Sequence, residues 1–467
     1  MEIPYPFKRL FLQKNYFSHN FHFQKPIPMT KTINPSRLFV ASCLALLVTS
    51  LTFALRAKIE GVFSSDYGLT GAEIGWAFGP AFWGFTVAMY LGGLIIDIVK
   101  TKNIVWLAFL SHLIGLVLLL FAKDKTMLFI SNVFIGFGNG SVEAACNPLI
   151  ATIYPNDKSR MLNRFHVWFP GGIVIGGILA WLLMTQFGLS WQLLTSLLFI
   201  PLALYGYLFF GQVIPETERV TSGVSYKDML KNIGAPFTLI ALVSFMILMA
   251  SVPSIHVDFN SSLTYIVLGL MVVAVIVEGL VFNKMSLLFP MMLFAMFLTA
   301  STELGTNQWT NALYTKAGID PMIILVVVTG IMAVGRFFAG PLIHKLNPPG
   351  VLLGSAIFSV LGLYLLSSSE GAGMTLFSAI VFAVGTCYFW PTMLGFVSEY
   401  IPKSGALGLS IMGGAGMVAT SVILPIMGRS IDTAGPQTTL RYMAILPAIL
   451  VAIFIFLNVY IRNKPKT

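Results

Sequence analysis

Five ionisable residues stand inside long apolar runs: Arg56, Glu60, Glu143, Glu303 and Arg336. An ionised side chain at the centre of a bilayer costs on the order of 3 kcal/mol by insertion scales. Each of the five must therefore face a cavity or an opposite charge. Glu143 is followed one helical turn later by Asn147, and then by Pro148. A carboxylate accepts hydrogen bonds and an amide both donates and accepts, which suits a solute rich in hydroxyls. Pro148 removes a local backbone donor and can open a carbonyl to a cavity. A carboxyl at this depth can also carry a proton, because protonation cancels the charge that burial penalises. The plainer alternative is a structural pair between Glu143 and Arg56 or Arg336.

A second polar set begins each half of the chain. Arg56, Lys58 and Glu60 occur in the first apolar run; Glu303, Asn307, Gln308 and Trp309 occur in a later one. Amides bond hydroxyls, and an indole face stacks on a pyranose ring. Trp309 lies near the end of its run and suits a membrane-interface belt equally well. Arg56 and Glu303 can face each other as a charge pair that breaks and re-forms between two states, or as a static pair that fixes packing. Trp390, beside Pro391 and Tyr388, suits cavity lining or helix packing. Arg336 requires an acid or an anionic solute.

These residues need long helices to hold them. Of 467 residues, 57% are hydrophobic and 10% charged, against about a quarter charged in soluble domains. A water-soluble enzyme and a disordered chain are excluded. Apolar runs of roughly 20 residues can each cross a bilayer. They read as spans near 37–62, 72–98, 104–122, 127–153, 165–187 and 190–212, then 236–252, 262–282, 288–314, 321–344, 350–367, 374–401, 405–429 and 440–461. That makes about fourteen and puts both termini on one side. With the termini in the cytoplasm, the 28 Lys+Arg residues divide into 20 inside, 5 outside and 3 within spans. This positive-inside bias explains the net charge of +10 without nucleic acid.

The organisation expected is an all-α polytopic membrane protein. It has a cytoplasmic segment (1–36), a six-helix half (37–212), a cytoplasmic loop (213–235), an inserted hairpin (236–287), a second six-helix half (288–461) and a tail (462–467). Residues 1–36 lack a secretory signal's apolar core, and Met29 is the expected biological start. Cys43, Cys146 and Cys387 have no metal-type or disulfide spacing. No phosphate loop or zinc-hydrolase motif occurs, so neither metal nor organic cofactor is expected. A monomer in the lipid bilayer is the default, the coupling ion being a proton.

The halves repeat at an offset of 247 residues. Gly93-Leu-Ile-Ile-Asp97 and Gly340-Pro-Leu-Ile-His344 close equivalent spans, and Gly138/Pro155 correspond to Gly385/Pro402. A parallel repeat of six helices resembles the major facilitator superfamily. Gly93, Asp97, Lys100 and Lys102 look like that family's cytoplasmic signature, with two residues inserted after the Asp. The resemblance implies a cytoplasmic gate at Gly93, Asp97, Lys100, Gly340, His344 and Lys345, with Arg160 and Arg164 as gate or anchor residues opening the fifth span. The alternative for Asp97 is a loop acid that only ends a helix. Glu143-x-x-x-Asn147-Pro148 followed by Arg160-x-x-Asn163 resembles the fucose:proton symporter branch. In that branch the fourth-helix Glu takes part in sugar binding and proton coupling. A first-helix Asp of that branch has no match; Glu60 lies about one turn on.

The resemblance implies an inner- or plasma-membrane transporter moving a small solute, most simply a sugar with protons, by alternating access. Its site would draw on Arg56, Glu143, Asn147, Glu303, Asn307, Gln308, Trp309, Arg336 and Trp390. Protons would be carried by Glu143, Glu60 or Glu303. Two alternatives stay open: an organic-anion or sugar-acid transporter using Arg56 and Arg336, and a transporter-like solute sensor.

Overall fold

Helix is the regular structure of the described residues, one of the two ways, with the closed barrel, to satisfy backbone groups where lipid offers them no partner. The computed structural model describes residues 32–233, 288–309 and 321–462, with isolated positions at 313, 318 and between 262 and 278. Ile33–Thr467 is one compact unit; Met1–Thr32 is another, of which Thr32 alone is described. The expected start at Met29 and, apart from isolated positions, the expected hairpin at 236–287 lie outside the described residues.

Six helical rods precede the central loop: α1 (Pro35–Ser65), α2 (Glu73–Val99), α3 (Thr101–Leu120), α4 (Lys125–Ile153), α5 (Lys158–Gln186) and α6 (Trp191–Phe209). Two short helices, Glu218–Thr221 and Tyr226–Ile233, lie in that loop. Six more rods follow: α7 (Leu288–Gln308), α8 (Pro321–Phe337), α9 (Ala339–Ser367), α10 (Gly371–Tyr400), α11 (Pro402–Ala434) and α12 (Pro436–Ile461). Ten of these are long and apolar enough to cross a membrane. The chain is thus a multi-pass membrane protein.

Local chemistry sets the ends. Pro35 occupies the first turn of α1, where its missing N–H costs nothing, and Asn34 caps it by accepting from the Arg37 N–H at 3.0 Å. Asp124 caps α4 by accepting from the N–H groups of Thr126 and Met127. The sequence reading separates 321–344 from 350–367. In the structure α9 runs on from Ala339 and turns at Asn347, whose φ is 58°. Pro348 bars Asn347 from the α conformation, and Asn tolerates the left-handed region.

The repeat is visible in the packing. A Cβ on Gly115 would lie 2.7 Å from Ile135, and one on Gly138 would lie 2.5 Å from His112. Their counterparts 247 residues on, Gly362 and Gly385, would meet Phe382 at 2.4 Å and Ser359 at 2.3 Å. Those partners are themselves offset by 247. The α3–α4 and α9–α10 pairs are therefore the same close glycine crossing. The symmetry also crosses between halves. Gly93 faces Leu407 and Ser410 on α11, while Gly340 faces Arg160 on α5, and Arg160 and Leu407 are equivalent positions.

Candidate solute site and gate

A cavity of about 240 Å³ lies between the halves. Its polar lining is Arg56 and Glu60 on α1, Glu303, Asn307 and Gln308 on α7, and Thr329 and Thr420 on α8 and α11. Phe53, Phe82 and Phe169 supply aromatic surface. On α1 and α7 these positions fall in the half of the rod away from Pro35 and Leu288. Arg56 pairs with Glu60 at 2.8 Å across one helical turn and sits over the Phe82 ring at 4.6 Å. α7 widens into a π turn over Ser301–Gly305, a distortion common at functional sites, and Glu303 is in it. Glu303 Oε2 is buried and has no hydrogen-bond partner among the described residues.

Behind the cavity runs a dry polar chain. Asn147 Nδ2 donates to Glu143 Oε2 at 2.6 Å. His166 Nε2 lies 3.0 Å from Asn147 Oδ1 and must donate, since an amide oxygen only accepts. His166 Nε2 is also 3.8 Å from Glu143 Oε2. The His166 carbonyl accepts from Arg336 Nη1 at 3.2 Å. Arg336 then donates to Glu303 Oε1 at 2.9 Å and, through Nε, to the Cys387 carbonyl at 2.7 Å. Glu143, Asn147, His166, Arg336 and Glu303 are all at most 3% exposed. The chain joins α4 and α5 of one half to α7, α8 and α10 of the other.

The end of the bundle near Pro35 is closed. Asp97 pairs with Arg219 and accepts from Thr217, both in the central loop. Lys158 pairs with Glu218 at 2.7 Å and donates to the Ser398 carbonyl at 3.3 Å. The Ser159 N–H donates to Glu399 at 3.1 Å, and Asn163 donates to Thr392 at 3.2 Å. Asp157 holds Arg160 and lies 3.6 Å from His344. The central loop and α5 therefore tie the two halves together at this end.

The sequence pattern of the Major Facilitator Superfamily matches residues 38–314. The chain belongs to that superfamily. Membership makes it a transporter and not an enzyme. Among solved structures, the human organic anion transporter MFSD10 has a TM-score of 0.63 at 14% identity, covering 91% of this chain and all of that one. The E. coli fucose:proton symporter FucP gives 0.58 at 14%, covering 90% and 98%. The proton:xylose symporter XylE gives 0.63 at 13%, covering 90% and 95%. These share the fold. A curated relative, sugar transporter ERD6-like 6 of Arabidopsis thaliana, is 26% identical over 205 residues, 43% of this chain. The chain thus matches 40% of that protein's length.

Within this transporter, Arg56, Glu60, Glu303, Asn307 and Gln308 share the cavity lining. Five other expected residues do not line it. Trp309 donates through Nε1 to the Leu424 carbonyl at 3.0 Å and packs its ring on Gly428. Trp390 packs against Gly413 and Gly416 of α11; both indoles fill space that those glycines leave. Glu143 and Asn147 are buried and bonded to each other, and Asn147 also to His166. Arg336 is turned away from the cavity onto Glu303 and two carbonyls. The Arg56–Glu303 pair is not formed here, because each has a nearer partner in Glu60 and Arg336.

Among the residues expected at a gate, Asp97 meets Arg219 and not Lys100, which sits in a left-handed turn (φ 73°) between α2 and α3. Lys345 is exposed, and Arg164 lies over the Phe337 ring at 5.6 Å. His166, two residues after Arg164, is seated in the dry chain. One signal was available: Pro170, four residues on, cannot donate to the His166 carbonyl. Among the described residues no group of three His, Cys, Asp or Glu could hold a metal.

Proposed function

We propose that this transporter is a sugar:proton symporter of the inner or plasma membrane, working as a monomer by alternating access with both termini cytoplasmic. In this reading the structure is the outward-facing state. The end bearing Asp97, Lys158 and Asp157 is closed, while the cavity reaches exposed Ala57 and Gln308 towards the other end. The observation that carries the chemistry is the open oxygen of Glu303. It is buried in a side chain whose residue lines the cavity, so a proton, or a solute hydroxyl admitted by a small side-chain shift, would satisfy it. Asn307 and Gln308 supply paired donors and acceptors, and the three phenylalanines supply ring surface. Glu143, at the far end of the polar chain, is the proposed proton carrier, with Glu60 and Glu303 as the other carboxyls in reach. That FucP and XylE are symporters of fucose and xylose, and the ERD6-like relative a sugar transporter, favours a sugar.

The cavity's charges weigh against an anionic solute. Arg56 is already paired with Glu60, and Arg336 with Glu303. A sugar acid would have to displace a carboxylate to reach either guanidinium. Proteoliposomes loaded with a pH-sensitive dye and offered L-fucose, D-xylose, D-glucose and D-glucuronate test the reading. The expected result is uptake of a neutral sugar with acidification, lost in Glu143→Gln. Glucuronate uptake lost in Arg56→Gln would establish the anion reading instead. Binding without uptake would indicate a sensor.

A further inference from the structure

In an α-helix each carbonyl accepts from the N–H four residues on. Arg336 bonds two carbonyls, those of His166 and Cys387. The residues four on are Pro170 and Pro391, and proline has no N–H. Both carbonyls that the guanidinium takes are therefore ones that a proline has freed. One is on α5, in the N-terminal half; the other is on α10, in the same half as Arg336. The α5 rod is interrupted at this point, where His166 has ψ near 1° before helix resumes at Trp168. Pro170 also lines the cavity.

We propose that Arg336 is a clamp between the halves and that Pro170 is its positioning residue. By withholding an N–H, Pro170 leaves the His166 carbonyl to Arg336, and this charge-assisted bond holds the halves together at the closed end. The bond must break for that end to open. The same turn carries the His166 side chain, which donates to Asn147 beside Glu143, so the clamp and the acidic site of the first half share one residue. Pro391 has a different task. Its freed carbonyl orients Arg336 within the C-terminal half and adds no tie between halves. The proposal rests on the alternating-access reading, not on the identity of the solute.

The test uses the full chain purified in detergent, with no solute. Ser410 is buried at the closed end against Gly93, so a thiol in Ser410→Cys reacts with fluorescein maleimide only when that end opens. The native Cys43, Cys146 and Cys387 are buried, and the parent chain gives the background rate. Adding Pro170→Ala returns an N–H to the His166 carbonyl. The labelling rate should rise about tenfold, the scale of one hydrogen bond to a charged group. Pro391→Ala should leave the rate within about twofold. Gly171→Ala is the packing control, because its Cβ meets only Ala333 at an ordinary 3.9 Å; it should also leave the rate unchanged. If Pro170→Ala does not fold, Arg336→Lys reads the same bond, since one ammonium cannot span Glu303 and two carbonyls. An unchanged rate in whichever of these two folds overturns the clamp. Equal acceleration by Pro170→Ala and Pro391→Ala overturns it as well. Failure of the sugar reading would show as absent uptake and would leave these rates untouched.

Discussion

Each half carries an acid–base pair on its first helix or anchored to it, and the two pairs differ in almost every physical respect. Arg56–Glu60 lies along one face of α1, and its side chains are 21% and 37% exposed. Arg336–Glu303 bridges α8 and α7, and its side chains are 1% and 4% exposed. The first is half-buried and faces the cavity, so it is open to solvent screening, and an i,i+4 pair of this kind contributes a few tenths of a kcal/mol. The second is dry, so neither charge tolerates loss of the other. Arg336 also donates to two carbonyls, while Glu303 keeps one oxygen free. The wet pair can exchange partners with a solute at small cost. The dry pair can change only if something replaces what is lost, which is what a proton or a solute hydroxyl at Glu303 Oε2 would do.

Breaking the dry pair should have the largest effect. Arg336→Met leaves Glu303 charged and enclosed, and should cost about 3–5 kcal/mol, read as a lower melting temperature in detergent. Adding Glu303→Gln should recover much of that loss, since the uncompensated charge is gone. A single Arg336→Met variant that melts like the parent would mean the pair is solvated and the contrast false.

The next effect belongs to the two matched glycines. A side chain on Gly93 would drive into Ser410 and the Leu407 backbone, at 2.3 and 3.3 Å. Gly93→Val should therefore destabilise by about 1–3 kcal/mol through overpacking. Gly340→Val meets the Cδ and Cγ of Arg160 at 2.7 and 3.3 Å, the stem of a flexible side chain and not a backbone, so its melting shift should be clearly smaller. Equal shifts would show that the halves do not differ at this crossing.

The smallest effect should come from the wet pair. Arg56→Gln should change stability by less than about 1 kcal/mol while altering solute binding, measured by isothermal titration with whichever sugar the uptake panel identifies. Stability loss comparable to that of Arg336→Met would erase the distinction between the two pairs.

Much of the architecture was written in the chain. Long apolar runs fix membrane-spanning helices because lipid offers no other way to satisfy the backbone. The constant offset of 247 identifies two like halves, and the glycines at 115, 138, 362 and 385 fulfil it as matched crossings. The scarcity of charge singled out Arg56, Glu60, Glu143, Glu303 and Arg336, because each must find a partner at membrane depth. Which partner each finds was not legible. Arg56 has Glu60 four residues on and Glu303 at its symmetry position, and sequence offers no distance between them. Trp309 and Trp390 carry surface for a sugar or for a neighbouring helix, and only the glycines opposite them decide. Composition and spacing along one helix are local properties, so the sequence by itself determined what must be buried and what must be paired. The tertiary structure alone decided that Glu303 takes Arg336, that Asp97 takes Arg219, and that a carbonyl released by Pro170 reaches across to the other half. Those choices depend on how separate helices are rotated and brought together, and that is set by packing over the whole bundle.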